Sequence, residues 1–246
     1  MKGVDRSMNQ NDFSGLERKM KELIWSEVYH DTIRGSKWLS QDLAFSPGRG
    51  AIGYQLMYVL YRVLNEVNPT SVLELGMGQS TKLIGSYVAS ANGECKHYVV
   101  EHDENWIEFF SNHYPLPNTT EVVRCAIEDT PVIVEEENRF TNVTKYVGFE
   151  EQLKDKKFDL IMIDGPYGYR SPDFSRVDIL SILPQCLKEE FVILMDDCDR
   201  KGEQQTCQMI GFMLQEAGIP FYSGTYSGEK DVTIIVSQNL KFLCLM

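Results

Sequence analysis

Four short stretches of this chain carry residues whose types and spacing could do chemistry. They are Glu74-Leu75-Gly76-Met77-Gly78-Gln79-Ser80-Thr81, Glu101-His102, Ile163-Asp164-Gly165-Pro166 and Asp196-Asp197. Gly76 and Gly78 let the backbone take conformations a Cβ forbids and let a ligand approach the main chain closely. Ser80 or Thr81 can cap a following helix, whose free N–H groups point back at the turn. Strand, glycine turn and helix in that order are where open α/β sheets bind nucleotide-like ligands. Glu74, just before the turn, could hold an amino group. Glu101 ends a second apolar run, where a carboxylate can accept both ribose hydroxyls of a nucleoside ligand. Asp164 and Asp196-Asp197 each follow an apolar run. Three carboxylates on one sheet edge can take a proton or hold a hard cation.

A dinucleotide fingerprint requires a third glycine three residues after the second, where a pyrophosphate sits on the helix. This chain has Thr81 there. Glu-x-Gly-x-Gly followed by a small polar residue instead resembles the first motif of class I S-adenosylmethionine-dependent methyltransferases. The resemblance implies S-adenosylmethionine as cofactor, with an amino-acid tail and a sulfonium where a dinucleotide carries phosphates. It places Glu74, Gly76, Gly78, Ser80, Thr81, Glu101 and the adjacent His102 at that ligand. It also puts Glu128, at the end of a third strand, against the adenine amino group; the other reading of Glu128 is a helix- or turn-initiating carboxylate. Asp164 with Asp196-Asp197 resembles the acidic pattern of catechol O-methyltransferase-like enzymes, where such residues bind Mg2+. Phe45-Ser46-Pro47-Gly48, the glycine motif, Ile163-Asp164-Gly165-Pro166 and Asp196-Asp197-x-x-Arg200 look like bacterial methyltransferases associated with polysaccharide and lipopolysaccharide loci. Together these imply O-methylation of a sugar or small-molecule hydroxyl, with Asp164 as the catalytic residue. Either Asp164 takes the acceptor proton or a cation lowers the acceptor pKa.

The elements that must position these residues follow from hydrophobic periodicity. Leu16, Met20, Leu23, Ile24 and Val28 predict an amphipathic helix over Phe13–Thr32, after a disordered stretch from Met1 to about Asp12. A turn-rich segment runs from Trp38 to Gly50, and its Phe45–Gly50 part reads either as a connecting loop or as a flap over the cofactor or substrate. A helix over Ile52–Val67 then runs to Pro69. Strands are expected at Ser71–Leu75, His97–Glu101, Thr120–Ile127, Phe158–Asp164 and Phe191–Met195, with a terminal hairpin of Phe221–Tyr226 and Val232–Val236. Helices are expected at Gln79–Ser90, Asn105–His113, Asp173–Leu183 and Lys201–Ala217. Val132–Gly148 looks inserted, as a hairpin or short lid, with Glu135-Glu136-Glu137 solvated. The pattern predicts a doubly wound, mostly parallel seven-stranded α/β sheet. An N-terminal helical extension over residues 1–68 precedes a cofactor-binding domain over residues 69–246.

Composition narrows the partners. The 246 residues carry 24 Lys+Arg against 36 Asp+Glu, a net charge of −12. That balance repels phosphate backbones and disfavours a nucleic-acid substrate. No apolar run of about 18 residues predicts a membrane span, and the polar N-terminus lacks the apolar core of a secretion signal. The six cysteines are scattered without a C-x-x-C spacing, against a disulfide framework or zinc site. A cytoplasmic enzyme with a small-molecule or saccharide acceptor is expected; the oligomeric state is left open, a homodimer being one option. No hydrolase motif or phosphate loop is present. The alternatives are a nicotinamide-dependent oxidoreductase, opposed by Thr81 and the terminal hairpin, and a non-catalytic S-adenosylmethionine-binding protein.

Overall fold

The computed structural model describes residues 10–40, 42–48, 50–134 and 139–245. The stretch expected to be disordered lies outside these residues up to position 9, as does Glu135–Glu137. Helices α1 (Gln10–Thr32) and α2 (Tyr54–Val67) come first. Strand β1 (Ser71–Leu75), helix α3 (Gln79–Ser90), strand β2 (Lys96–Glu101), helix α4 (Glu104–His113) and strand β3 (Thr120–Arg124) follow. An antiparallel pair, β4 (Ile127–Val134) and β5 (Arg139–Tyr146), leads through α5 (Phe149–Leu153) to β6 (Phe158–Ile163) and β7 (Leu187–Met195). Helix α6 (Lys201–Glu216) and the hairpin β8 (Phe221–Ser227) and β9 (Asp231–Ser237) close the order.

The main sheet has the order β3-β2-β1-β6-β7-β9-β8. Only β9 runs against the direction of the other six strands, which is the expected doubly wound, mostly parallel sheet. Strand β1 is buried along its whole length, as a strand covered on both faces must be. Alternation sends Val72 into a core with α2, α3, Leu160, Val192 and Ile234. Leu73 and Leu75 go to the opposite core, with Ile161, Ile193, Ile179 and Ile210. Helix α2 packs its buried Leu56, Leu60 and Leu64 into the first of these cores. No helix among the described residues is long and apolar enough to cross a membrane.

Two expectations are corrected. The third strand leaves the sheet at Arg124 rather than reaching Ile127; Cys125 N–H still donates to Glu101 O (3.1 Å), but Ile127 already pairs with Tyr146 in the separate hairpin. The crossover over Asp173–Leu183 is not an α-helix. Phe174 and Arg176 have positive φ (53° and 59°), and only a short 3-10 turn forms at Val177–Ser181. Backbone of that hand breaks a right-handed helix, and here it turns Arg176 inward toward buried acids.

Candidate active site

The parallel strands end together at one edge, and the order reverses between β1 and β6. A crevice at such a switch point is the usual ligand site of an open α/β sheet. The ladder carries straight into it: Gly76 N–H donates to Val100 O (2.9 Å), Asp164 N–H to Leu75 O (3.0 Å) and Asp196 N–H to Ile163 O (3.0 Å). A cavity of about 470 Å3 opens there, lined among others by Gly76, Gly78, Glu101, His102, Trp106 and Asp164. Gly50, Ala51 and Ile52 form part of its wall. The loop before them is tied down, Ser46 N–H donating to Gln79 Oε1 at 3.0 Å.

The glycine turn is held from two sides. Glu101 Oε2 accepts Met77 N–H (3.0 Å), and Oε1 accepts the N–H groups of His102 (2.7 Å) and Asp103 (3.0 Å). Trp106 Nε1–H donates to Met77 O at 2.8 Å. Gly76 sits at φ +93°, and a Cβ there would meet Gly165 N at 3.2 Å and Asp164 C at 3.3 Å. Gly76→Ala should therefore cost about 1–2 kcal/mol of stability from its left-handed backbone alone, seen as a lower urea midpoint. An unchanged midpoint would contradict this backbone cost. At Gly78 the situation is opposite: an added Cβ meets nothing within 4 Å, so that position is open to a ligand.

The other residues expected at the ligand divide. Ser80 and His102 line the cavity. His102 Nδ1 lies 2.8 Å from Glu101 Oε1, and its ring meets Tyr167 edge-on at 4.7 Å. Thr81 is fully buried and accepts Gly78 N–H at 2.8 Å, so it builds the turn rather than facing the cavity. Glu74 does not line the cavity; its Oε2 lies 3.0 Å from His97 Nε2, both side chains fully buried. Glu128 stands on β4 opposite Lys145, exposed and outside the cavity lining. Residues not singled out from the sequence complete the wall: Trp106, Tyr146 and Tyr167. Asp178 fixes Tyr146 by accepting its N–H at 2.7 Å. Burial, with Glu101 beside it, pushes the Tyr146 phenol well above its ordinary range, so its hydroxyl stays protonated.

Asp164, Asp196 and Asp197 do converge, with potential ligand atoms all within 4.8 Å of one another. Cations already stand among them. Arg176 Nη2 reaches Asp197 Oδ2 (2.7 Å) and Asp164 Oδ1 (3.0 Å), and Nη1 donates to Asp196 O (3.0 Å). Lys230 Nζ lies 3.0 Å from Asp196 Oδ2 and 3.1 Å from Asp197 Oδ1. Arg200 Nη1 adds a contact to Asp197 Oδ2 at 3.0 Å. A hard divalent ion needs six or more oxygens drawn close around it. Asp196 Oδ1 is left here as a buried oxygen without a hydrogen-bond partner, and burial raises the Asp196 pKa. The donor set as arranged does not fit a divalent cation. Only Asp164 of the three lines the cavity, with its side chain 20% exposed.

This architecture, a mostly parallel seven-stranded sheet with a single antiparallel strand and a glycine turn after the first sheet strand, is the Rossmann-like methyltransferase fold. Among solved structures, the chain is similar to the O-methyltransferase TomG of Streptomyces achromogenes in complex with S-adenosylmethionine. The two share 15% identity over 89% of this chain and 99% of that one, with a TM-score of 0.51. It is also similar to the S-adenosylhomocysteine-bound methyltransferase PaMTH1 of Podospora anserina, at 13% identity over 97% and 98% of the chains and a TM-score of 0.47. An O-methyltransferase from Bacillus cereus in complex with S-adenosylhomocysteine matches at 15% identity over 89% and 91%, with a TM-score of 0.47. No family model and no curated protein matches the sequence.

Proposed function

We propose that the chain is an S-adenosylmethionine-dependent O-methyltransferase. The observation that carries the reading is one cavity uniting an open glycine turn, the Glu101 carboxylate and Asp164. The residues suit the cofactor: Gly78 leaves room beside the main chain, and Glu101 can take the ribose hydroxyls. When bound, S-adenosylmethionine supplies an activated methyl group. The chain then has to align an acceptor oxygen and receive its proton. Alignment and exclusion of water can supply about 7–11 kcal/mol in favourable cases. Tyr146, Tyr167 and Ile52 close the cavity walls, and Asp164 is the carboxylate that would take the proton. A sugar hydroxyl is our preferred acceptor, on the likeness of Phe45-Ser46-Pro47-Gly48 and Asp196-Asp197-x-x-Arg200 to polysaccharide-associated enzymes. The anionic chain, at −12, supports a small acceptor over a nucleic acid.

Incubation with tritiated S-adenosylmethionine and a panel of hydroxylated sugars and phenols tests the reading. Label should pass to at least one hydroxyl compound. Cofactor binding without transfer to any acceptor would favour the non-catalytic alternative. A companion variant isolates the cavity. Gly78→Val should fold normally, since nothing stands near its Cβ, yet lose the rise in melting temperature that S-adenosylhomocysteine gives wild type. At a ligand concentration of about 100 times Kd that rise reflects roughly 2.7 kcal/mol. A full shift in Gly78→Val would place the ligand elsewhere.

A further inference from the structure

We infer that Lys230 is the resident cation of the acid cluster: its ammonium stands against Asp196 and Asp197 where a divalent metal would otherwise sit, so this chain holds its acids together without a metal. The assignment does not rest on methyl transfer, because ion binding is measured without turnover.

Lys230 belongs to the turn between β8 and β9, where a lysine would ordinarily project into solvent. Here its side chain is only 14% exposed, and Nζ lies 3.0 Å from Asp196 and 3.1 Å from Asp197. The turn is delivered to that position by fixed contacts. Gly228 N–H donates to Lys230 O at 2.8 Å, and Cys198 N–H, next to the acids, donates to Asp231 O at 2.7 Å. From the other side α2 supplies Gln55, whose Nε2–H donates to Lys230 O at 2.7 Å. Helix α1 adds Trp25 Nε1–H to Ser227 O (2.8 Å) and an Arg18–Asp231 ion pair (3.1 Å). A Cβ on Gly228 would meet Gln55 Cδ at 2.8 Å, so a glycine allows the turn to lie against α2. The two N-terminal helices thus clamp the turn that carries the lysine.

The electrostatics support a replacement rather than an accessory role. Asp164, Asp196, Asp197 and Glu203 face Arg176, Arg200 and Lys230, four carboxylates against three cations. Buried carboxylates this close repel unless a cation lies between them, and truncating one partner leaves uncompensated buried charge. A divalent ion would have to enter beside both the ammonium and the guanidinium, with like charges a few ångströms apart. In contrast, removing the ammonium would leave Asp196 and Asp197 short of positive charge and open to a metal.

Mn2+ titration followed by electron paramagnetic resonance tests this with wild type, Lys230→Met and the double variant Lys230→Met/Asp196→Asn. Wild type should leave Mn2+ free up to about 1 mM, the weak end of protein cation sites. Lys230→Met should capture one Mn2+ at least about tenfold more tightly, because a neighbouring positive charge is gone. The double variant should lose that site. A wild-type protein that binds one Mn2+ at micromolar concentration, with the site abolished by Asp196→Asn, would overturn the assignment. So would a folded Lys230→Met that gains no site. The wild-type arm is decisive even where the lysine variant does not fold.

Discussion

Asp164→Asn should lower kcat about 10²–10⁴-fold, the usual contribution of a positioned general base, while S-adenosylhomocysteine affinity is retained. Asparagine preserves the shape and can still accept from Arg176, whose other partners at Asp197 and Asp196 O remain. What it cannot do is receive a proton. Burial, reinforced by the charge of Asp196, pushes the Asp164 carboxyl up to about 7, against the opposing pull of Arg176 and Lys230. The proton-accepting form therefore accumulates as pH rises. Wild-type kcat/KM should climb through that range and level off above it, and Asp164→Asn should lack that limb. Initial rates across pH check both. A variant with near-normal turnover and an unchanged profile would leave Asp164 as a structural partner of Arg176 only.

The second large effect is expected at Glu101. Glu101→Gln should raise the Kd for S-adenosylhomocysteine about 10–100-fold, corresponding to hydrogen bonds to a charged group worth roughly 1.5–3 kcal/mol. Two causes combine. The carboxylate is the candidate acceptor for the ribose hydroxyls, and it also holds the N–H groups of Met77, His102 and Asp103. Glutamine keeps one acceptor oxygen and replaces the other with a donor, which opposes either N–H it meets. Calorimetric titration of the variant measures the change, and KM should rise more than kcat falls. Unchanged affinity would move the ribose partner to another wall of the cavity.

What could be read from the sequence was set by local signals. Strand β1 and helix α3 fall where Pro69, the glycine turn and the apolar run placed them, because each boundary is written in adjacent residues. The same holds for Asp164 and Asp196-Asp197, whose convergence follows from neighbouring parallel strands. Local signals failed where partners are distant in the chain. Glu74 reads as a ligand contact until the register of β1 on β2 brings His97 within 3.0 Å of it. Glu128 reads as the end of a sheet strand until β5 pairs with its segment. Arg176 lies in a stretch with helical spacing, and only its left-handed backbone sends the guanidinium into the acids. Lys230 carries no sequence mark to separate it from any solvated turn lysine. It is placed by contacts from α1 and α2, some two hundred residues earlier.

The most direct test of the central claim is calorimetric titration of the wild-type protein with S-adenosylhomocysteine and, separately, with NAD+. Saturable one-site binding of S-adenosylhomocysteine is expected, absent in Gly78→Val, with no heat from NAD+. Saturable NAD+ binding, or no binding of S-adenosylhomocysteine by protein shown to be folded, would contradict the assignment of the cavity.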